Sequence, residues 1–353
     1  MSEYGELPFD VQVEIMKRLP VKTLIRFRSV SKEWKSLIDS SKFIAAHSLH
    51  TQPRHLLATY EYPEEEINYI SFVDDETLFQ QRPIPNCPVS LKRPYHPDMV
   101  GISHGLFCFF LDDKKLAIVW NPSIRKSIAV AVPGPHFVGF GVCRVTTDPK
   151  IVAIKQSWDK SNIEATYRCE VMVYTLSSGR WRILSSNLPT KPIDDYESAV
   201  AADGFIYWLG KSLSDNMIIS FDVTNESFAM IDLPTCLARR RLRLLQFYKE
   251  KESLAVLQYD VGTYTVWMMD DCAQRSFIQL FTLQALEDSI KGFRKRGVPI
   301  LEVLKGRRFR LAVYEPNSQR SNLLQVPGCP LFCTVNSYME TLLLLGRSDC
   351  SSY

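Results

Sequence analysis

Gly101-Ile102-Ser103-His104-Gly105 has the G-x-S-x-G spacing of a serine nucleophile elbow. An elbow lifts the serine hydroxyl onto a sharp turn between a strand and a helix, where a base can take its proton. Here Leu106-Phe107-Cys108-Phe109-Phe110-Leu111 follows, a strand pattern, so the five residues read as a turn entering a strand. Gly204 to Ser212 ends in Gly-Lys-Ser like a phosphate-binding loop. It is one residue too long, and its middle is a hydrophobic strand instead of a glycine-rich cradle. The histidines at 47, 50, 55, 96, 104 and 136 show no ligand spacing with carboxylates. Cys329 and Cys333 are four apart, but no second pair follows, which argues against zinc. No metal or cofactor is expected, and no residue set outlines a catalytic mechanism.

Cations are the other chemistry in the chain. Overall charge is +3, yet between Arg239 and Arg310 fifteen Lys and Arg face eight Asp and Glu, a local +7. Three clusters carry it: Arg239-Arg240-Arg241-Leu242-Arg243, Lys291-Gly292-Phe293-Arg294-Lys295-Arg296 and Lys305-Gly306-Arg307-Arg308-Phe309-Arg310. Each falls at or beside an expected loop. If the loops converge, Arg240, Arg241, Arg294, Arg296, Arg307 and Arg308 make a basic face suited to an acidic protein. Nucleic acid ranks below that, supported only by Phe293 and Phe309 among the cations. The plainer alternative is scattered charge on solvated loops.

Composition bounds the compartment. The nine cysteines have no framework spacing and read as reduced thiols. The start, MSEYGELPFD, is acidic and polar, unlike a signal peptide. Apolar runs such as 106–111 are far short of a membrane span. The expected location is cytoplasm, nucleus or both.

Two kinds of element must position these residues. Over 7–38, Pro8 suits a first helical turn, Val11, Ile15 and Leu19 recur at spacing four, and Pro20 ends the helix. Val21, Leu24 and Phe27 make a second apolar stripe; Ser31 is the expected N-cap of a third helix carrying Trp34, Leu37 and Ile38. Residues 40–50 read as one more short helix. Three helices in about thirty residues bury too little surface to be robust alone. Periodicity by itself reads as a helical cap on a larger domain. The residue identities say more: Leu7-Pro8, Ile15, Arg18-Leu19-Pro20-Val21-Lys22, Leu24, Arg26-Phe27-Arg28, Val30-Ser31-Lys32 and Trp34 resemble the F-box in its plant form. That resemblance implies docking to a Skp-type adaptor and, through it, to the cullin and RING subunit of a ubiquitin ligase. The residues it marks for docking are Leu7, Pro8, Val11, Ile15, Leu19, Pro20, Leu24, Val30 and Trp34, with Ile15 and Trp34 as first anchors.

From about 55 onward, short β-rich runs alternate with Gly, Pro, Asn, Asp and Ser. A hairpin unit recurs, anchored by Trp120, Tyr174, Phe221, Trp267 and Tyr314 at spacings of 54, 47, 46 and 47, with Phe72 as a weaker sixth copy. Units of about 47 residues built from four strands bury both faces by stacking around an axis, as a β-propeller does. A β-sandwich would leave that spacing to chance. The stretch 331–346 reads as two strands that complete the first blade and close the ring. Ser103-His104-Gly105-Leu106-Phe107-Cys108, Val119-Trp120-Asn121-Pro122-Ser123-Ile124-Arg125, Val173-Tyr174-Thr175-Leu176, Gly204-Phe205-Ile206-Tyr207-Trp208-Leu209, Ile219-Ser220-Phe221-Asp222-Val223 and Leu233-Pro234 resemble the F-box-associated interaction domain, a kelch-like propeller. The pattern departs at Ser103-His104, where many members carry a cysteine–asparagine-like pair.

The expected fold class is thus α+β multidomain: a small helical F-box at 1–50, an all-β propeller of six blades at 55–346 and a tail at 347–353. The expected function is a non-catalytic substrate-recognition subunit of a Skp-cullin-F-box ubiquitin ligase, joining the adaptor to a protein substrate. The alternative is a propeller scaffold or reader whose helices are only a cap.

Overall fold

The computed structural model describes residues 7–48, 54–61, 67–74, 81–83, 98–134, 137–159, 166–194, 198–211, 215–248, 252–270, 276–284, 289–306, 308–316, 318, 320–324, 331–348 and 351–352. Cys329, the first of the two cysteines four apart, and Arg307 lie outside the described residues.

The chain starts with four short helices: α1 (Phe9–Met16), α2 (Val21–Phe27), α3 (Lys32–Asp39) and α4 (Ser41–Ser48). Pro8 and Pro20 are both N-caps with extended backbone. Proline suits that place because the first amides of a helix have no intrahelical partner. Pro20 therefore opens α2; α1 has already ended at Met16. The Ser31 hydroxyl accepts from the Glu33 and Trp34 amides, the cap expected of α3. Arg28 and Asp39 form a bidentate pair at 2.6 and 2.8 Å that ties α3 back to the end of α2.

Six antiparallel sheets follow. Blade one holds β1 (Arg54–Glu61), β2 (Ile67–Val73) and β3 (Gln81–Pro83). Blade two holds β4 (Asp98–Ser103), β5 (Leu106–Leu111), β6 (Leu116–Asn121) and β7 (Lys126–Ala131). Blade three holds β8 (Phe137–Val142), β9 (Pro149–Asp159), β10 (Thr166–Thr175) and β11 (Arg180–Leu184). Blade four holds β12 (Val200–Ala202), β13 (Phe205–Lys211), β14 (Asn216–Asp222) and β15 (Ser227–Asp232). Blade five holds β16 (Arg241–Tyr248), β17 (Glu252–Asp260), β18 (Thr263–Met269) and β19 (Phe277–Gln284). Blade six holds β20 (Ser289–Phe293), β21 (Pro299–Lys305), β22 (Arg308–Glu315) and β23 (Arg320–Leu323). β24 (Leu331–Met339) returns to pair with β1 as the innermost strand of blade one, and β25 (Ser351–Ser352) adds a fifth strand outside β7.

The repeat now has a physical cause. All six anchor aromatics lie on the third strand of their blade: Phe72, Trp120, Tyr174, Phe221, Trp267 and Tyr314. Six apolar clusters fill the six gaps between blades. Every anchor points into the gap toward the preceding blade, Trp120 and Phe221 being fully buried. Burying one such ring contributes roughly 1.5–3 kcal/mol, so the period marks where each blade grips its neighbour. The wider first interval reflects the long β9–β10 hairpin and a six-residue connection, 143–148, ahead of it.

Closure is partly as expected. One strand, β24, completes blade one; residues 341–347 do not form a second. They form a strap instead. Leu342 and Leu345 enter the apolar core of the helical head with Met16, Val21, Leu24, Ile38 and Phe43. Leu343 and Leu344 turn the other way, into the cluster between blades two and three. A strand alternates its faces strictly and cannot serve two cores this way. The strap's carbonyls are satisfied by side chains: Asn121 Nδ2 donates to Thr341 O at 3.0 Å and Leu343 O at 2.6 Å. Lys126 Nζ reaches Leu345 O and Arg347 O. A buried pair, Arg294–Asp74 at 3.1 Å, joins blade six to blade one beside the closure.

Candidate functional site

The helical head splits its apolar residues between two surfaces. Met16, Val21, Leu24, Ile38 and Phe43 form its core. Val11 and Ile15, four apart on α1, and Leu7, just ahead of the helix, lie outside that core and stay exposed, Val11 at 43% and Ile15 at 47%. Phe9 and Val30 are exposed as well. Thirteen large apolar residues are exposed among the described ones, and these five fall within 24 residues of sequence. Such clustering marks a contact surface, whereas single exposed apolar residues need no explanation.

Pro8 and Pro20 are exposed too. Two of the nine docking candidates, Leu19 and Trp34, are half-buried against the head's core. Trp34 stacks near Phe27 at 5.1 Å and donates Nε1–H to Gln12 Oε1 at 3.1 Å. Leu24 corrects the sequence reading: it is fully buried, because α2 must supply an inward residue where α1 turns its own stripe outward. It holds helices together and offers nothing to a partner.

Strand polarity sorts the propeller loops onto two faces. In every blade the first-to-second and third-to-fourth connections share one face; second-to-third turns and links between blades share the other. The head packs on Ile124, in the β6–β7 turn, so the first is the head face and the second the far face. The three basic clusters do not converge. Arg240 and Arg241, entering β16, and Lys305 and Arg308, at the facing ends of β21 and β22, belong to the far face. Arg294 and Arg296 lie in the β20–β21 connection on the head face, where Arg294 is held by Asp74. An antiparallel strand separates the two loops of blade six, so sequence proximity put them on opposite sides. Arg240 pairs with Asp260 and Arg239 with Asp215, while Arg241 lies 5.8 Å from the Tyr259 ring centre.

On the head face the axis opens into a cavity of about 370 Å³ that sequence reasoning missed. Its lining comes from the same place in successive blades, the inner end of the first strand pair: Arg54 and Met339, His104, Arg144, Asp203 and Gly204, Tyr248 and Glu252. Cationic and carboxylate groups face each other across it. Arg144 pairs with Asp203 at 2.6 Å, Glu252 Oε2 accepts from the Asp203 amide at 3.4 Å, and the Arg54 guanidinium lies 3.4 Å over the Tyr248 ring. Burial lowers the pKa of His104, opposed by Glu252 and reinforced by Arg144. These contacts tie five blades together around the axis. Equal repeat register was the available signal.

Ser103 ends β4, and Leu106 begins β5. His104 and Gly105 both have positive φ, 50° and 77°, a two-residue hairpin turn. The segment is strand–turn–strand, so the nucleophile elbow does not form. The Ser103 hydroxyl accepts from the Val142 amide at 3.2 Å and sits 3.0 Å from His104 Nδ1. Among the described residues no group of three or more His, Cys, Asp or Glu is placed to hold a metal. No helix among them is long and apolar enough to cross a membrane.

A helical head with an exposed apolar row, strapped to a closed six-bladed propeller, defines a two-part binding protein. Comparison with known families gives the class its name. The F-box domain model matches residues 5–45, and the F-box associated beta propeller domain model matches 56–294, more than half of the chain. The chain belongs to the F-box proteins with an F-box associated β-propeller. It is similar to the F-box/kelch-repeat protein At3g23880 of Arabidopsis thaliana, 26% identical over 308 residues covering 81% of each chain. It is also similar to the putative F-box protein At3g10430 of the same plant, 29% identical over 264 residues, covering 69% of this chain and 68% of that one. Among solved structures, TolB from Acinetobacter baumannii aligns with a TM-score of 0.50 at 13% identity, over 80% of this chain and 66% of that one, a likeness of fold alone.

Proposed function

We propose that this chain is the substrate-recognition subunit of a Skp-cullin-F-box ubiquitin ligase. The head docks a Skp-type adaptor, and through it the cullin and RING subunit; the propeller holds a protein substrate. The chain itself performs no bond chemistry, and the transfer of ubiquitin belongs to its partners. It works in cytoplasm, nucleus or both, where such ligases act. The observation that carries the reading is the exposed row Leu7, Val11, Ile15, with Phe9 and Val30, on a head whose core faces elsewhere.

The test is capture of a purified Skp-type adaptor by the intact chain and by a Val11→Asp, Ile15→Asp variant. Both positions are exposed, so the variant keeps its fold, checked by circular dichroism. The reading expects capture by the intact chain and at least a tenfold loss in the variant. One observation favours a second reading, a propeller scaffold or reader with a helical cap: the head's core is completed by Leu342 and Leu345 of the strap. Failure of the folded intact chain to capture the adaptor would establish that second reading.

A further inference from the structure

On the far face, the cleft between blades five and six gathers arginine and tyrosine side chains. Register places Arg241, Tyr259 and Tyr264 opposite one another across β16, β17 and β18, so the three share one side of the sheet. Arg243, two residues beyond Arg241, shares it too. Tyr264 joins the apolar cluster between blades five and six, so this side faces blade six. From blade six, Val303 enters the same cluster, and Lys305 follows it two residues later, at the far-face end of β21. The cleft is therefore walled by cations from both blades and by two tyrosines from blade five.

Contacts within it are fixed. The Tyr259 and Tyr264 rings lie 5.2 Å apart, and the Arg241 guanidinium lies 5.8 Å from the Tyr259 ring centre. Burial and Tyr259 raise the Tyr264 pKa, while Arg243 and Arg241 draw it back, so both guanidinium groups bear on the same phenol. The neighbouring Arg239 and Arg240 are neutralised by Asp215 and Asp260. Among the described residues, neither Arg241 nor Lys305 has a carboxylate at ion-pair distance. At the lip, Val261 is 97% exposed on the β17–β18 turn. Tyrosine supplies contact area at low conformational cost, arginine is enriched with it at the centres of binding interfaces, and Val261 adds apolar surface beside them.

We infer that this cleft is the substrate-docking site, and that it takes an extended acidic protein segment carrying one aromatic or large apolar side chain. The carboxylates would meet Arg241 and Lys305; the apolar side chain would meet Tyr259 and Val261. The inference rests on the proposed role of the propeller as the substrate-binding half. Nucleic acid is the weaker fit, because Asp215 and Asp260 neutralise Arg239 and Arg240, the two residues just before Arg241, and so interrupt the basic track. The site lies on the face away from the head, so substrate and adaptor do not compete for surface.

The experiment uses the full chain and fluorescence anisotropy with a labelled twelve-residue peptide of alternating Asp and Glu around one central Phe. Wild type is compared with Arg241→Ser plus Lys305→Ser, and with Lys114→Ser, an exposed lysine on the blade-two turn of the same face. The inference expects salt-sensitive binding weakened at least tenfold by the double variant and less than twofold by Lys114→Ser. A peptide with Ser for Phe should bind at least threefold more weakly. No peptide binding, or equal losses in both variants, overturns the inference. So does a single-stranded oligonucleotide of equal charge that binds more tightly than the peptide. Adaptor capture by the same proteins separates the two claims: a double variant that loses peptide but keeps adaptor supports the cleft. A wild-type chain that binds peptide but no adaptor overturns the ligase reading alone.

Discussion

Asn121 is the hinge pin between the two halves of the molecule, and replacing it tests that role quantitatively. Its side chain is fully buried and makes three hydrogen bonds: Nδ2 donates to Thr341 O and Leu343 O, and Oδ1 accepts from the Ser123 amide. Each such bond contributes about 1 kcal/mol net, and stranding a buried carbonyl costs a further 1–3 kcal/mol. Asn121→Ala therefore destabilises the chain by roughly 3–5 kcal/mol, with some carbonyls recovering water. Asn121→Asp keeps the acceptor for Ser123 but sets a carboxylate against two carbonyl oxygens. Burial raises the pKa of that carboxyl in the folded state, so the folded chain binds the extra proton. Its deficit relative to wild type should then shrink as pH falls through the raised folded pKa. Urea unfolding followed by tryptophan fluorescence reads both effects. A loss under about 1 kcal/mol for Asn121→Ala would refute the clamp, because a surface asparagine loses no more than that.

The other predictions concern the closure, the strap and the axis. A Cβ on Gly292 would stand 1.9 Å from Val335 O in the closing strand β24, so Gly292→Ala should cost at least about 3 kcal/mol by forcing the inner strands apart, measured as a lower urea midpoint. Leu345→Ala should cost about 2–5 kcal/mol and make the head the first segment cut in limited proteolysis, since its core loses a fully enclosed side chain. His104 has a folded pKa below its ordinary 6.5, so the unfolded chain binds more protons as pH falls. Stability should decline as pH drops below 6.5 and level off below the folded pKa, and His104→Asn, which tolerates the positive φ, should remove that part of the difference curve.

Much of this architecture was legible from residue pattern. The aromatic anchors fell at the same strand of all six blades because each must fill an equivalent gap, and gap size repeats with the ring. Ser31 announced its helix because an N-cap hydroxyl is a local device. What failed was non-local. The leucine run 342–345 read as a strand, since period alone does not reveal that two different cores claim alternate pairs of its side chains. Leu24 read as a docking residue because outward and inward apolar stripes look alike until the helices are packed. The basic loops read as one patch because their face depends on strand direction, which neighbouring residues reverse within one hairpin. Asn121 and Ser123 stood out as motif residues, yet their task, holding a segment more than 215 residues away, appears only in three dimensions.

The proposed role acts by proximity, so it depends on where the two partners are held as much as on how tightly. The head joins the propeller through residues 49–53 at one end and through the strap at the other, where Leu342 and Leu345 enter its core. Two attachments, one of them packed and hydrogen-bonded, restrict rotation that a single covalent link would permit. The exposed row on α1 then points in a direction fixed relative to the blade-five and blade-six cleft. Effective concentration between two sites is greatest when their connection spans the required distance without excess freedom. In the proposed role the buried leucines and the asparagine clamp would serve function as well as stability, by setting the vector from adaptor to substrate. This explains why the propeller's last strand is followed by a segment that serves the first domain of the chain, so that ring closure and head attachment are made by the same stretch of sequence.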